Sequence, residues 1–168
     1  MDNTIQINLI YYNNSSVISP WHFLPIFQMS NIEVPRSFRL QDELEIGEKG
    51  KDVPVTISYG LDDGNENNYV TLSNWTGTVM GTCGAFAGRV TSLHIVCGSE
   101  YPKKAPTVRF ITRVNLPFVD QNGNIIVNQF PLFKSWNPKT TILDILKDIE
   151  ARMNERGVPQ QPPEDETY

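Results

Sequence analysis

Asn122-Gly123-Asn124-Ile125-Ile126 closes on a hydrocarbon side chain that can attack nothing, and how this run is read decides the rest of the chain. Downstream, Trp136 is followed by Asn137-Pro138, which stops the backbone. Ile142, Ile145, Leu146, Ile149 and Met153 then recur at helical spacing and predict one amphipathic helix. Upstream lie short runs with strand character: Val55 to Tyr59, Tyr69 to Leu72, Thr76 to Met80, Val90 to Val96 and Thr107 to Ile111. They predict an antiparallel meander. Between the first two, Leu61 to Glu66 contains an Asp-Gly turn signal and lacks the twelfth-position Glu of a calcium loop, so it reads as a solvated turn.

Further toward the N-terminus, Pro35 suits a first helical position, and Gly47 and Gly50 suit an exit. A helix of roughly three turns is expected between them. At about 100° per residue, Leu40 and Leu44 lie about 40° apart and define its core stripe, whereas Phe38 points about 200° away from Leu40. Residues 1–33 are rich in Asn and Ser and show no sustained period. They read as a disordered extension, or as an ordered arm carrying Trp21, Phe23, Leu24, Ile26 and Phe27. The domain is placed at 34–156. Residues 157–168, rich in Pro, Gln and acid, read as a flexible tail.

A length of 168 residues with 39% hydrophobic and 20% charged residues fits one globular domain with its own core. The net charge of -5 offers no concentrated basic face, which argues against nucleic acid and for a protein or peptide partner. The apolar stretch Val17 to Phe27 is cut by Pro20 and Pro25 and has no basic residue before it, so it is neither a signal peptide nor a membrane span. Two cysteines are too few for a disulfide scaffold and match no zinc spacing. Cys97 alternates with Leu93 and Ile95 and reads as a small buried hydrophobe. Cys83 lies in the glycine-rich connector Gly81-Thr82-Cys83-Gly84-Ala85, with none of the neighbouring His or acid that activation requires. His94 reads as a sheet-face residue and His22 as part of the extension. The connector reads as flexible and fits no phosphate-binding pattern, and no zinc-protease or kinase motif is present.

Several of these stretches, in this order, resemble the ubiquitin-conjugating enzymes: Trp75-Thr76-Gly77-Thr78, Tyr101-Pro102-Lys103-Lys104-Ala105-Pro106, Val108 to Thr112, Asn122 to Ile125 and Trp136. Val34-Pro35-Arg36-Ser37-Phe38-Arg39-Leu40, Cys97-Gly98, Asn115-Leu116-Pro117 and Gln161-Pro162-Pro163 resemble the noncatalytic branch, the ubiquitin-conjugating enzyme variants. The resemblance covers 34–168. It implies an α+β conjugating-enzyme-like fold: an N-terminal helix, a four-stranded antiparallel meander and a long C-terminal helix, without the last helices of active members. It places Ile126 at the lost catalytic cysteine and Phe118 at the lost oxyanion asparagine, since Leu116-Pro117-Phe118 stands for His-Pro-Asn. Losing such an amide donor alone costs about 10² to 10³ in rate.

By the same resemblance the protein pairs with an active conjugating enzyme and holds an acceptor ubiquitin with its lysine 63 toward the partner's thioester. Phe38 matches the family's docking aromatic, beside Pro35 and Arg36; Ser58, Thr78 and Val90 match acceptor-ubiquitin contacts. The loop from Thr82 to Gly88 is shorter than is common in the family. No metal, cofactor, nucleic acid or membrane is expected, and the location implied is cytoplasmic and nuclear. Two rivals stand beside this reading: a stand-alone ubiquitin- or peptide-binding sorting module, and a residual enzyme using Cys83.

Overall fold

The computed structural model of the chain describes residues 34–50, 52–64 and 67–168. The expectations for residues 1–33, His22 among them, lie outside the described residues. Helix α1 (Arg36–Lys49) leads into a sheet of β1 (Ile57–Leu61), β2 (Asn74–Met80), β3 (Val90–Val96) and β4 (Thr107–Phe110), with a short helix α2 (Asn68–Thr71) between β1 and β2. A short α3 (Pro131–Lys134) and a longer α4 (Ile142–Met153) follow. The strands are antiparallel in the order β1-β2-β3-β4. This is the α+β meander expected, and among the described residues no helix follows Met153.

Side chains alternate across the sheet with a period of two. Trp75, Val79, Leu93, Ile95 and Phe110 point inward and are fully buried. Facing them, α4 buries Ile142, Ile145, Leu146, Ile149 and Met153, the five positions that the helical spacing singled out. Each such burial contributes about 1.5–3 kcal/mol before chain entropy is charged against it. Helix and sheet approach closely at Gly77, where a Cβ would sit 3.2 Å from Leu146. α4 starts with a capping box: Asp144 N donates to Thr141 Oγ1 at 3.0 Å, and Thr141 N donates to Asp144 Oδ2 at 2.9 Å.

Three expectations change. Tyr69 to Leu72 is not a strand, because Asn68 organises the segment locally. Its buried amide donates to Asp62 O and Asn74 O and accepts from Ser73 N and Asn74 N. With those backbone groups satisfied, the β-favouring side chains Tyr69 and Val70 are left exposed on a helical turn. The connector after β2 is anchored rather than free: Phe86 is fully buried, and the N–H groups of Thr82 and Cys83 both donate to Asn154 Oδ1.

The segment 157–168 is not a loose tail. Gln161 Oε1 accepts from Asn115 N at 2.8 Å, its Nε2 donates to Asn115 O at 3.0 Å, and Arg89 donates to Pro162 O. Arg113 N donates to Glu166 O, Tyr168 N donates to Ile111 O, and Thr167 bridges to Thr112. The extended, proline-rich chain has little to bury, as its composition indicates, yet its backbone groups find partners along 111–115. Val158 and Tyr168 pack against the core.

Candidate functional site

Three surfaces hold the residues singled out in the sequence. The first is the N-terminal turn of α1. Phe38 is 60% exposed there, off the stripe formed by buried Leu40 and half-buried Leu44, as the angular count requires. Pro35, also exposed, is the N-cap residue rather than the first helical one. The Arg36 guanidinium is engaged by groups of the domain itself. Nε donates to Gly98 O at 2.8 Å and Nη1 to Thr71 O at 2.7 Å. Nη2 donates to Ser73 Oγ at 2.9 Å and to Cys97 O at 2.6 Å.

Beneath this turn lies Glu43, 1% exposed. Its Oε1 accepts from the Tyr101 hydroxyl and from Arg39 Nε at 2.9 Å, and its Oε2 accepts from Ile142 N, in the first turn of α4, at 2.7 Å. Burial pushes the carboxyl above the usual range; the Tyr101 hydroxyl, the Ile142 N–H and Arg39 only partly offset this. Burial, then Glu43, pushes the Tyr101 phenol up as well. Tyr59, nearby in the core, is pushed up to about 12, chiefly by burial.

The second surface is the outer face of the sheet. Ser58 pairs with Thr78 across β1 and β2, and Thr78 pairs with Ser92 across β2 and β3, giving a transverse row of hydroxyls. Val90, 55% exposed, pairs with Met80 on the same face. Ile111 N donates to Ser92 O, which sets the exposed Ile111 beside this row. Met80, Ser92 and Ile111 were missed from sequence, although the period of two would have placed Met80 and Ser92 outward. The depression between Ser58, Gly60, Thr76 and Thr78 is about 80 Å³. That is well below the roughly 300 Å³ at which small-ligand pockets begin. His94 also faces outward, 3.9 Å from Asp62.

The third surface surrounds the run from Asn122 to Ile126. Ile126 N donates to Phe118 O at 2.8 Å, so the two positions matched to lost catalytic groups are joined through backbone. The Phe118 ring is buried against Phe130, centroids 5.1 Å apart, with the Arg152 guanidinium 5.9 Å from its own centroid. It offers no hydrogen-bond donor. Gly123 (φ +85°) turns the chain under the C-terminal segment: a Cβ there would lie 2.6 Å from Phe110 O and 2.7 Å from Tyr168 Cδ2. Asp120 Oδ1 accepts from the N–H groups of Asn122 and Asn124, both at 2.8 Å. Hydrogen bonds from Asn124 hold its carboxyl below the usual range. Among the described residues no His, Cys, Asp and Glu group could hold a metal, and no helix is long and apolar enough to cross a membrane.

The two cysteines stand in different surroundings. Cys97 is fully buried, and burial, then the Glu43 charge, raises its thiol far above the ordinary value. Cys83 is exposed, but its sulfur meets the Asn154 carbonyl at 3.4 Å and the Asn154 side-chain oxygen at 3.6 Å, neither of them a base.

The family model described as ubiquitin-conjugating enzyme matches residues 39–168. Ubiquitin-conjugating enzyme E2 variant 1B of Arabidopsis thaliana is 39% identical over 124 residues, covering 73% of this chain and 76% of its own. Ubiquitin-conjugating enzyme variant MMS2 of Saccharomyces cerevisiae is 37% identical over 141 residues, covering 81% and 98%. Among solved structures, human ubiquitin-conjugating enzyme E2 G1 aligns with a TM-score of 0.58 at 26% identity, over 72% of this chain and 97% of that one. The chain belongs to the ubiquitin-conjugating enzyme family, and within it to the ubiquitin-conjugating enzyme variants.

Proposed function

We propose that this protein pairs with an active ubiquitin-conjugating enzyme and holds an acceptor ubiquitin so that its lysine 63 faces the partner's thioester. The chemistry belongs to the partner: the lysine amine attacks the thioester carbonyl and gives up a proton to solvent, the carbon–sulfur bond breaks, an isopeptide bond forms and the partner's thiolate leaves. This chain contributes placement, which supplies at best roughly 7–11 kcal/mol when a reactant is held in near-attack geometry.

The observation that carries the reading is Phe38, a large apolar ring left 60% in solvent on a helix whose flanking side chains are tied down. Such rings commonly anchor protein interfaces. Ile126, the donorless Phe118 and the buried Cys97 support a noncatalytic role. The mixed row of Ser58, Thr78 and Ser92 beside Val90 and Met80 suits a weak contact, which an acceptor needs because it must leave after each transfer.

Reconstitution with a panel of active conjugating enzymes, activating enzyme, ATP and ubiquitin tests this reading. One partner should yield free chains only when this protein is present, and ubiquitin whose lysine 63 is replaced by arginine should yield none. Chains through another lysine, or stimulation of no partner together with direct binding of a sorting peptide, would favour the stand-alone module instead.

A further inference from the structure

The first turn of α1 lacks the usual devices of a stable N-terminus. Pro35 caps it without a side-chain hydrogen bond, no acidic residue stands in the turn, and two arginines, Arg36 and Arg39, face the positive end of the helix dipole. On local terms this turn should fray. Both arginines instead reach out of the helix to carbonyls of different segments. Arg36 spans Thr71 O, Cys97 O and Gly98 O, with Ser73 Oγ between them. Arg39 Nη2 donates to Lys139 O at 3.0 Å and Thr140 O at 3.3 Å, while its Nε pairs with Glu43. Phe38 lies between the two in sequence and projects into solvent.

From this arrangement we infer that Arg36 and Arg39 are positioning residues that bracket Phe38, fixing the first turn of α1 so that the ring is presented ready-made to the conjugating-enzyme partner. The inference rests on the proposed docking role of Phe38 and deepens it. A ring on a frayed turn would be ordered only on binding, at a cost in affinity; a ring on a clamped turn has that ordering done in advance. The planar guanidinium is essential for Arg36, because four donor–acceptor pairs in a fork cannot be made by a lysine ammonium, although the charge is the same.

The test uses the full chain with the partner identified by reconstitution. Association is measured by calorimetry for the wild type, Arg36→Lys, Phe38→Ala and the double variant, with amide exchange of Arg39, whose N–H closes the first helical turn on Pro35 O, read alongside. Arg36→Lys is expected to remain folded, to speed exchange at Arg39, to leave the KM for acceptor ubiquitin unchanged and to weaken partner binding by about tenfold or more. In the Arg36→Lys background Phe38→Ala should cost much less than in the wild type, because the ring is no longer presented. Full affinity in Arg36→Lys would mean that charge alone suffices and would overturn the bracket, as would equal costs of Phe38→Ala in both backgrounds. Should Phe38→Ala leave binding unchanged in the wild type, the docking role itself fails; Arg39 exchange then still reports whether Arg36 clamps the turn.

Discussion

Removing the carboxylate of Glu43 perturbs the joint that holds α1 to the rest of the domain. Its two oxygens accept from the Tyr101 hydroxyl, Arg39 Nε and Ile142 N in a site that is 1% exposed. Glu43→Ala strands a buried hydroxyl and a helix N–H, at about 1–3 kcal/mol each, and leaves Arg39 Nε without its carboxylate. These costs overlap with, rather than add to, the roughly 3–5 kcal/mol for breaking a buried pair. A total of about 3–5 kcal/mol is therefore expected, a large share of the roughly 5–15 kcal/mol that stabilises an ordinary domain. Glu43→Gln keeps the shape but turns an NH₂ toward a donor, and should cost about 1–3 kcal/mol.

The pH dependence gives that prediction a sign. Because burial raises the Glu43 carboxyl in the fold, its contribution to stability is fully present below the unfolded-state value near 4.5. It is then lost as pH rises through the higher folded value. Urea unfolding from pH 4 to 8 should show the wild-type advantage over Glu43→Gln shrinking with pH. An advantage that grows with pH would mean that the three donors outweigh burial, and a cost for Glu43→Gln below about 0.5 kcal/mol would mean that the joint is not where α1 is held.

Three further outcomes follow from the surfaces. Phe38→Ala removes a ring with about 120 Å² in solvent, taking roughly 200 Å² for a whole aromatic side chain. It should weaken partner association by on the order of 2–3 kcal/mol in calorimetry while moving stability by less than about 1 kcal/mol. Val90→Asp should raise the KM for acceptor ubiquitin severalfold in chain-synthesis assays, leaving partner affinity unchanged and stability within about 0.5 kcal/mol. Gly123→Ala should destabilise by about 1–3 kcal/mol in urea unfolding, since it combines a positive φ with overlap on Phe110 O and the Tyr168 ring.

Much of this was legible because periodic burial writes itself into sequence. The α4 stripe from Ile142 to Met153 and the outward angle of Phe38 follow from one rotation per residue. The strand alternation from Val90 to Cys97 follows from a period of two. What escaped was decided by single side chains, some acting locally and some across long separations. Asn68 converts a β-rich run into a helical turn by satisfying its own surroundings, which no propensity records. Arg36 looks like a surface cation until Thr71, Cys97 and Gly98 bring their carbonyls to it. The segment 157–168 has the composition of a tail, and only the partners waiting at Arg89, Arg113 and Asn115 make it a strap. Phe118 and Ile126 carried no signal of their own beyond being apolar; the family resemblance alone gave their positions meaning.

The central claim is that this domain contributes placement and no nucleophile. Purified protein mixed with activating enzyme, ATP and ubiquitin, and resolved without reductant, measures that claim directly. No thiol-sensitive ubiquitin adduct should form, in the native chain or in a Cys83→Ser, Cys97→Ser variant. A reducible adduct on the native chain that disappears in the double variant would contradict it.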